Sequence, residues 1–125
     1  MASENKLITL LEATVGVRHV LTDAVATRRY RKGSRFGEGA PLAVVRPGSL
    51  VEQWQVLQTC VSANEIVITQ ASNTGLTGGS TPDGNDYDRD IVIVSTTRIR
   101  TVHVIDNARQ VVCLSGQRSI SWRRR

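Results

Sequence analysis

Thirteen consecutive residues, Gln70-Ala71-Ser72-Asn73-Thr74-Gly75-Leu76-Thr77-Gly78-Gly79-Ser80-Thr81-Pro82, contain three glycines, three threonines and two serines, with no Lys, Arg, Asp or Glu. A stretch of this kind meets a ligand through backbone N–H groups rather than side-chain charge. Glycine lets another group approach the backbone closely, and successive exposed amides make a concave anion site. Hydroxyls at Thr74, Thr77, Ser80 and Thr81 add short donors suited to phosphate oxygens. The glycine spacing is neither that of a P-loop nor that of a Rossmann fingerprint. A plain surface loop has the same composition, so the flanking elements must decide.

Those elements are an apolar run on each side, Ile66-Val67-Ile68 before and Ile91-Val92-Ile93-Val94 after. Upstream, Leu42-Ala43-Val44-Val45 reads as a buried strand closed by Arg46-Pro47-Gly48. Ser49 to Glu52 has the spacing of a capping box. Leu50, Trp54, Leu57 and Val61 recur at steps of four, three and four, which predicts one apolar helix face with Trp54 in the core. Strand, capped helix and strand make a βαβ unit, and the glycine-rich loop then leaves the carboxyl end of a parallel strand. Ahead of it, Ser3 is expected to cap a helix carrying Leu7, Leu10, Leu11 and Thr14 and ended by Gly16. A second helix starts at Thr22 or Asp23 and runs toward Arg29. Downstream, Val102–Ile105 and Gln110–Val112 read as a hairpin about Asp106-Asn107-Ala108.

Other residues with chemical potential offer less. Arg28, Arg29, Arg31, Lys32 and Arg35 cluster around Tyr30, either as a phosphate or nucleic-acid site or as a solvated face. Asp86, Asp88 and Asp90 alternate after a Pro82-Asp83-Gly84-Asn85 turn, but without the glycine and distal glutamate of a calcium loop. His19 and His103 have no nucleophile or acid nearby in sequence and read as structural. Cys60 and Cys113 form no CxxC pair and no cluster with histidine, which excludes a zinc site and a disulfide framework and fits a reducing compartment.

Ala71-Ser72-Asn73-Thr74-Gly75-Leu76-Thr77, Gly79-Ser80-Thr81-Pro82 and Gly84-Asn85-Asp86-Tyr87-Asp88-Arg89-Asp90 together resemble the flavin loop of the bacterial quinone-dependent D-lactate dehydrogenases. The likeness takes in Tyr30-Arg31-Lys32-Gly33, the segment from Leu42 to Leu50, and Val92 to Thr96, and so covers roughly residues 5–112. It implies an α+β chain: N-terminal helices, then a βαβ unit and further strands. These would form the first subdomain of a PCMH-type (vanillyl-alcohol-oxidase-type) FAD-binding fold. By that resemblance Ala71, Ser72, Asn73, Thr74, Gly75, Gly79 and Ser80 bind FAD, and no residue of the chain is assigned to catalysis or to a metal. The loop has no histidine to tether a flavin, so FAD is expected to be held non-covalently. D-lactate and quinone are the implied partners of a full-length enzyme. Peripheral attachment to the cytoplasmic side of the inner membrane is implied by the family alone. Glycolate oxidase subunits share the loop but not the Gly84–Asp90 signature.

The length of 125 residues suits one domain. The resemblance makes it an amino-terminal fragment: a helical segment over 1–34, a partial FAD-binding domain over 35–112, and a tail over 113–125. A net charge of +5 invites a second reading as a small basic nucleic-acid- or anion-binding module. Arg118, Arg123, Arg124 and Arg125 supply four of those charges, which leaves residues 1–112 at +1. That acid-free tail departs from the family pattern after Val112 and is what GC-rich codons give out of frame; a frameshift is the expectation, a natural basic tail the alternative. The amino terminus has no signal-peptide pattern and no run approaches the ~20 apolar residues of a membrane span, so the fragment itself is expected to be soluble in the cytoplasm or aggregated.

Overall fold

The computed structural model describes residues 2–105 and 110–113, and the side chains of residues 2–101. The turn expected at Asp106–Ala108 and the tail beyond Cys113 lie outside the described residues. Helix α1 (Ala2–Val15) is followed by a 3₁₀ turn (Val17–His19), strand β1 (Val20–Leu21), helix α2 (Ala24–Arg31), strand β2 (Ala43–Val45) and helix α3 (Leu50–Ser62). Strands β3 (Ile66–Gln70), β4 (Ile91–Ser95), β5 (Val102–Ile105) and β6 (Gln110–Cys113) complete it.

β1 to β4 form one sheet in the order β1-β2-β4-β3. β2 and β3 both run parallel to β4, whereas β1 pairs antiparallel to β2. The βαβ unit is therefore present with β4 inserted between its two strands. The register explains the unbroken apolar runs. Ala43, Val92 and Val67 fall in one row, and Val44, Ile93 and Ile68 in the next. The first row meets Leu7, Leu11 and Val15 of α1 with Val56 and Cys60 of α3, and the second meets Tyr30 of α2. Helices cover both faces, so successive residues must be apolar rather than alternating. β5 and β6 form the expected antiparallel hairpin.

Two helix readings need correction. Ser3 lies inside α1 rather than capping it, and the stripe that holds α1 down is Leu7, Leu11 and Val15, with Leu10 about half exposed. Each of those buried side chains is worth about 1.5–3 kcal/mol relative to exposure, so packing holds α1 on the sheet. Gly16 does end α1, with φ of 91°. In α3 the capping serine is as expected: Ser49 Oγ accepts from Glu52 N at 3.2 Å. The apolar stripe, however, faces the wrong way for a core. Leu50 (48% exposed), Trp54 (57%), Leu57 (46%) and Val61 (65%) are open, while Val56 and Cys60 are fully buried. At 100° per residue the two sets point in well-separated directions, and only the shorter side chains fit beside α1 on the sheet. α2 begins where expected, with Asp23 Oδ1 accepting from Val25 N and Ala26 N at 3.0 and 2.8 Å.

Candidate functional site

Three parallel strands end at one edge of the sheet, so the turns after β2, β3 and β4 share it. The turn after β2 is filled by its own side chains. Gly48 N donates to Glu52 Oε2 at 2.5 Å, and Arg98 Nη1 donates to the Arg46 carbonyl at 2.5 Å. Arg46 Nη2 reaches the Arg18 carbonyl at 2.8 Å and His19 Nδ1 at 3.3 Å. Arginine only donates, so Nδ1 is the acceptor and His19 is neutral in this contact. Burial lowers the His19 pKa from its ordinary value, and the charges of Arg98, Arg46 and Arg18 lower it further. This histidine is a structural acceptor, as the sequence suggests.

The turn after β3 is different. From Ala71 onward the glycine-rich stretch is neither helix nor strand. Among the described residues no backbone N–H from Ala71 to Ser80 donates to another protein group. Ser72, Thr74, Gly75, Leu76, Thr77 and Gly79 are exposed, and Ala71, Asn73, Gly78 and Ser80 half-buried. Unpaired amides are tolerated only where water or a ligand reaches them.

Side chains hold the loop in shape. Gln70, 2% exposed, donates from Nε2 to the Ser80 carbonyl at 2.8 Å and to the Tyr30 carbonyl at 3.0 Å. Ser80 Oγ donates to Asn73 Oδ1 at 3.0 Å, and Asn73 Nδ2 to the Lys32 carbonyl at 2.7 Å. Asn73 itself has φ of 55°, a left-handed position that asparagine tolerates better than most residues. Thr96 N caps β3 by donating to the Gln70 carbonyl at 2.9 Å. Both ends of the loop are thus fixed to the end of α2 and to the sheet, while its amides stay free.

An arm that sequence reading assigned no role completes the frame. Lys32 and Glu38 form an antiparallel bridge, and Gly33 N donates to the Gly37 carbonyl at 2.8 Å. Gly84 N donates to the Glu38 carbonyl at 2.8 Å and Ala40 N to Asn85 Oδ1 at 2.7 Å. This hairpin-like arm packs on Thr81, whose Oγ1 is buried without a hydrogen-bond partner among the described residues. Gly37 has φ of 85°, and a Cβ there would collide with Thr81 Oγ1. Gly75 is the opposite case, because a Cβ on it would meet nothing within 4 Å. The fold requires glycine at 37; at 75 it leaves open space. The signal that pointed to the arm was available in the Gly33, Gly37 and Gly39 spacing.

The structure therefore places Ala71, Ser72, Asn73, Thr74, Gly75, Gly79 and Ser80 on one loop at the carboxyl edge, with Asn73 and Ser80 directly bonded. The donor set, neutral amides and hydroxyls around an open cradle, fits a diphosphate better than a metal ion.

The architecture matches solved structures of p-cresol methylhydroxylase (TM-score 0.66, 21% identity, 85% of this chain and 21% of that one). It also matches alkyldihydroxyacetonephosphate synthase (0.71, 19%, 82% and 20%). 4-Ethylphenol oxidase from Gulosibacter chungangensis is a third (0.63, 21%, 84% and 20%). The class so defined is the PCMH-type FAD-binding fold. No family model matches the chain. Its sequence relatives are narrower in kind: quinone-dependent D-lactate dehydrogenases of Haemophilus influenzae (56% identical over 114 residues, 91% of this chain), Escherichia coli (57% over 106 residues, 85%) and Corynebacterium glutamicum (54% over 114 residues, 91%). Over most of its length the chain is homologous to quinone-dependent D-lactate dehydrogenases, and it spans about a fifth of the length of these relatives.

Proposed function

We propose that this chain is the part of a D-lactate dehydrogenase that receives the diphosphate of FAD, with Ala71, Ser72, Asn73, Thr74, Gly75, Gly79 and Ser80 as the binding residues. The observation that carries the reading is the set of unpaired backbone N–H groups from Ala71 to Ser80 at the carboxyl edge of a parallel sheet. An anion there replaces water on amides that no protein group holds, in a loop whose shape side chains already fix, which limits the ordering cost of binding. Gln70 and Asn73 hold the loop; Thr74 and Thr77 supply hydroxyl donors. No histidine lies in the loop, so attachment is non-covalent.

In the whole enzyme, bound FAD would supply the two-electron chemistry that oxidises D-lactate to pyruvate, with quinone as the electron acceptor. These residues bind and orient; none of them handles the substrate's proton. Residues 35–112 form the partial flavin domain and 1–34 its helical lead, and the rest of the pocket comes from sequence beyond this match. No helix among the described residues is long and apolar enough to cross a membrane, so the peripheral location on the inner membrane rests on the relatives' dependence on quinone.

The test is a flavin titration of the purified chain, followed by absorbance and quenching of flavin fluorescence. Weak saturable binding is expected, at least tenfold weaker in Gly75→Val, with no dye reduction by D-lactate. Equal flavin binding by Gly75→Val, or none by either chain, would remove the loop from the site.

A further inference from the structure

On the sheet face opposite α3, an open groove of about 490 Å³ is lined by Val25, Ala26, Arg28, Arg29, Lys32 and Gly33. Its volume lies in the range of small-molecule sites. We propose that this groove binds the phosphate group of a small phosphorylated molecule, as a site separate from the glycine-rich loop.

Three of its six lining residues are cations, and no acid is among them. Arg28 stands in the last turn of α2 and Lys32 is its C-cap residue, so like charges gather, with mutual repulsion, at the helix end. Carboxylates relieve little of it. Among the described residues Arg28 has no recorded ion pair, and Lys32 reaches only Glu38 at 3.9 Å, both side chains being well exposed. Arg29 is already oriented, its guanidinium 5.4 Å from the centroid of the Tyr30 ring. Cations in the last turn of a helix do complement its dipole. That accounts for positive charge near the helix end, but not for its convergence on one groove. The groove also has an apolar residue: Val25, 85% exposed, stands one turn before Arg28 and Arg29 on the same helix face and offers contact for a carbon skeleton. A phosphate dianion can accept from a planar guanidinium through two oxygens and from the Lys32 ammonium through a third.

The site is distinct from the loop, although the two share a wall. Lys32 turns its carbonyl to Asn73 Nδ2 at 2.7 Å on the loop side, while its side chain lines the groove.

Inorganic phosphate, pyrophosphate and AMP are titrated calorimetrically into the full chain at low and moderate salt. A saturable site that persists in Gly75→Val is expected, weakened by salt, with AMP binding more tightly than free phosphate through contact with Val25 and Ala26. Arg28→Gln/Lys32→Gln should weaken pyrophosphate at least tenfold, and so should Val25→Glu, which leaves every cation in place. Lys6→Gln/Arg18→Gln, which removes the same charge elsewhere, should change it less than twofold. Gly75→Val should also leave it unchanged, so that failure of the flavin reading and failure of this one are separable. The proposal is overturned if the two charge-removing pairs weaken binding equally, or if Gly75→Val abolishes it. It is also overturned if a single-stranded oligonucleotide outcompetes pyrophosphate with the salt dependence of many phosphate contacts, which would indicate a nucleic-acid surface.

Discussion

Gln70 Nε2 lies 2.8 Å from the Ser80 carbonyl, so a buried side chain at the end of β3 closes the loop that leaves it. The same amide group binds the Tyr30 carbonyl and thereby fixes the loop to α2. Replacing Gln70 by leucine keeps the volume and strands both carbonyls. A buried acceptor left unpaired costs about 1–3 kcal/mol, so Gln70→Leu should lower stability by roughly 2–4 kcal/mol in urea denaturation. Flavin affinity should fall with it. An unchanged unfolding midpoint would show that water satisfies both carbonyls and that the loop is held elsewhere.

Gly37 and Gly75 separate structural need from ligand need. Gly37→Ala forces a side chain into positive φ and against Thr81 and should cost more than about 1 kcal/mol. Gly75→Ala meets open space and should leave stability within about 0.5 kcal/mol while weakening flavin binding. Thermal melts with and without FAD distinguish the two. Equal destabilisation by both would mean that Gly75 is also required by the fold.

Leu50, Trp54, Leu57 and Val61 form an uncovered stripe along α3. Trp54→Gln and Leu57→Gln together should leave the unfolding midpoint nearly unchanged, since neither side chain is in the core. Self-association at high concentration should decrease, as measured by sedimentation velocity. A loss of several kcal/mol would mean that the stripe packs within the folded chain after all.

Glu65 supplies a pH signature. Burial raises its pKa above the ordinary 4.5, and the charges of Asp90 and Glu4 raise it further while Arg89 opposes them. One oxygen, Oε2, is buried without a hydrogen-bond partner among the described residues. The folded chain therefore holds this proton more tightly than the unfolded chain. Stability is greatest below pH 4.5 for this group and falls as pH rises through the raised folded value. Glu65→Gln should melt higher than the parent at pH 7, with the difference closing below about pH 4. A difference that is constant from pH 3 to pH 8 would show that ionisation of Glu65 is not the cause.

Local signals were enough to place the elements in order and to mark the loop. Asp23 and Ser49 cap the helices they precede because capping depends only on the next few amides. The uninterrupted apolar runs at 43–45, 66–68 and 91–94 read as strands, and the first and last are buried throughout, while 66–68, on the sheet edge, are half-buried. The composition of residues 70–82 likewise marked a loop, and the structure leaves its backbone N–H groups from Ala71 to Ser80 without a protein acceptor among the described residues. Packing decided the rest. Only the sheet order, with β4 between β2 and β3, determines which side of α3 is covered, and a periodicity of apolar residues cannot say whether its partner is present. Trp54 is exposed for that reason. The arm from Lys32 to Gly39 was marked only by the spacing of its glycines, because its role comes from contacts with Thr81, Gly84 and Asn85 some forty-five residues away. Short-range hydrogen bonding is encoded in neighbouring residues; burial is a property of surfaces brought together from distant parts of the chain.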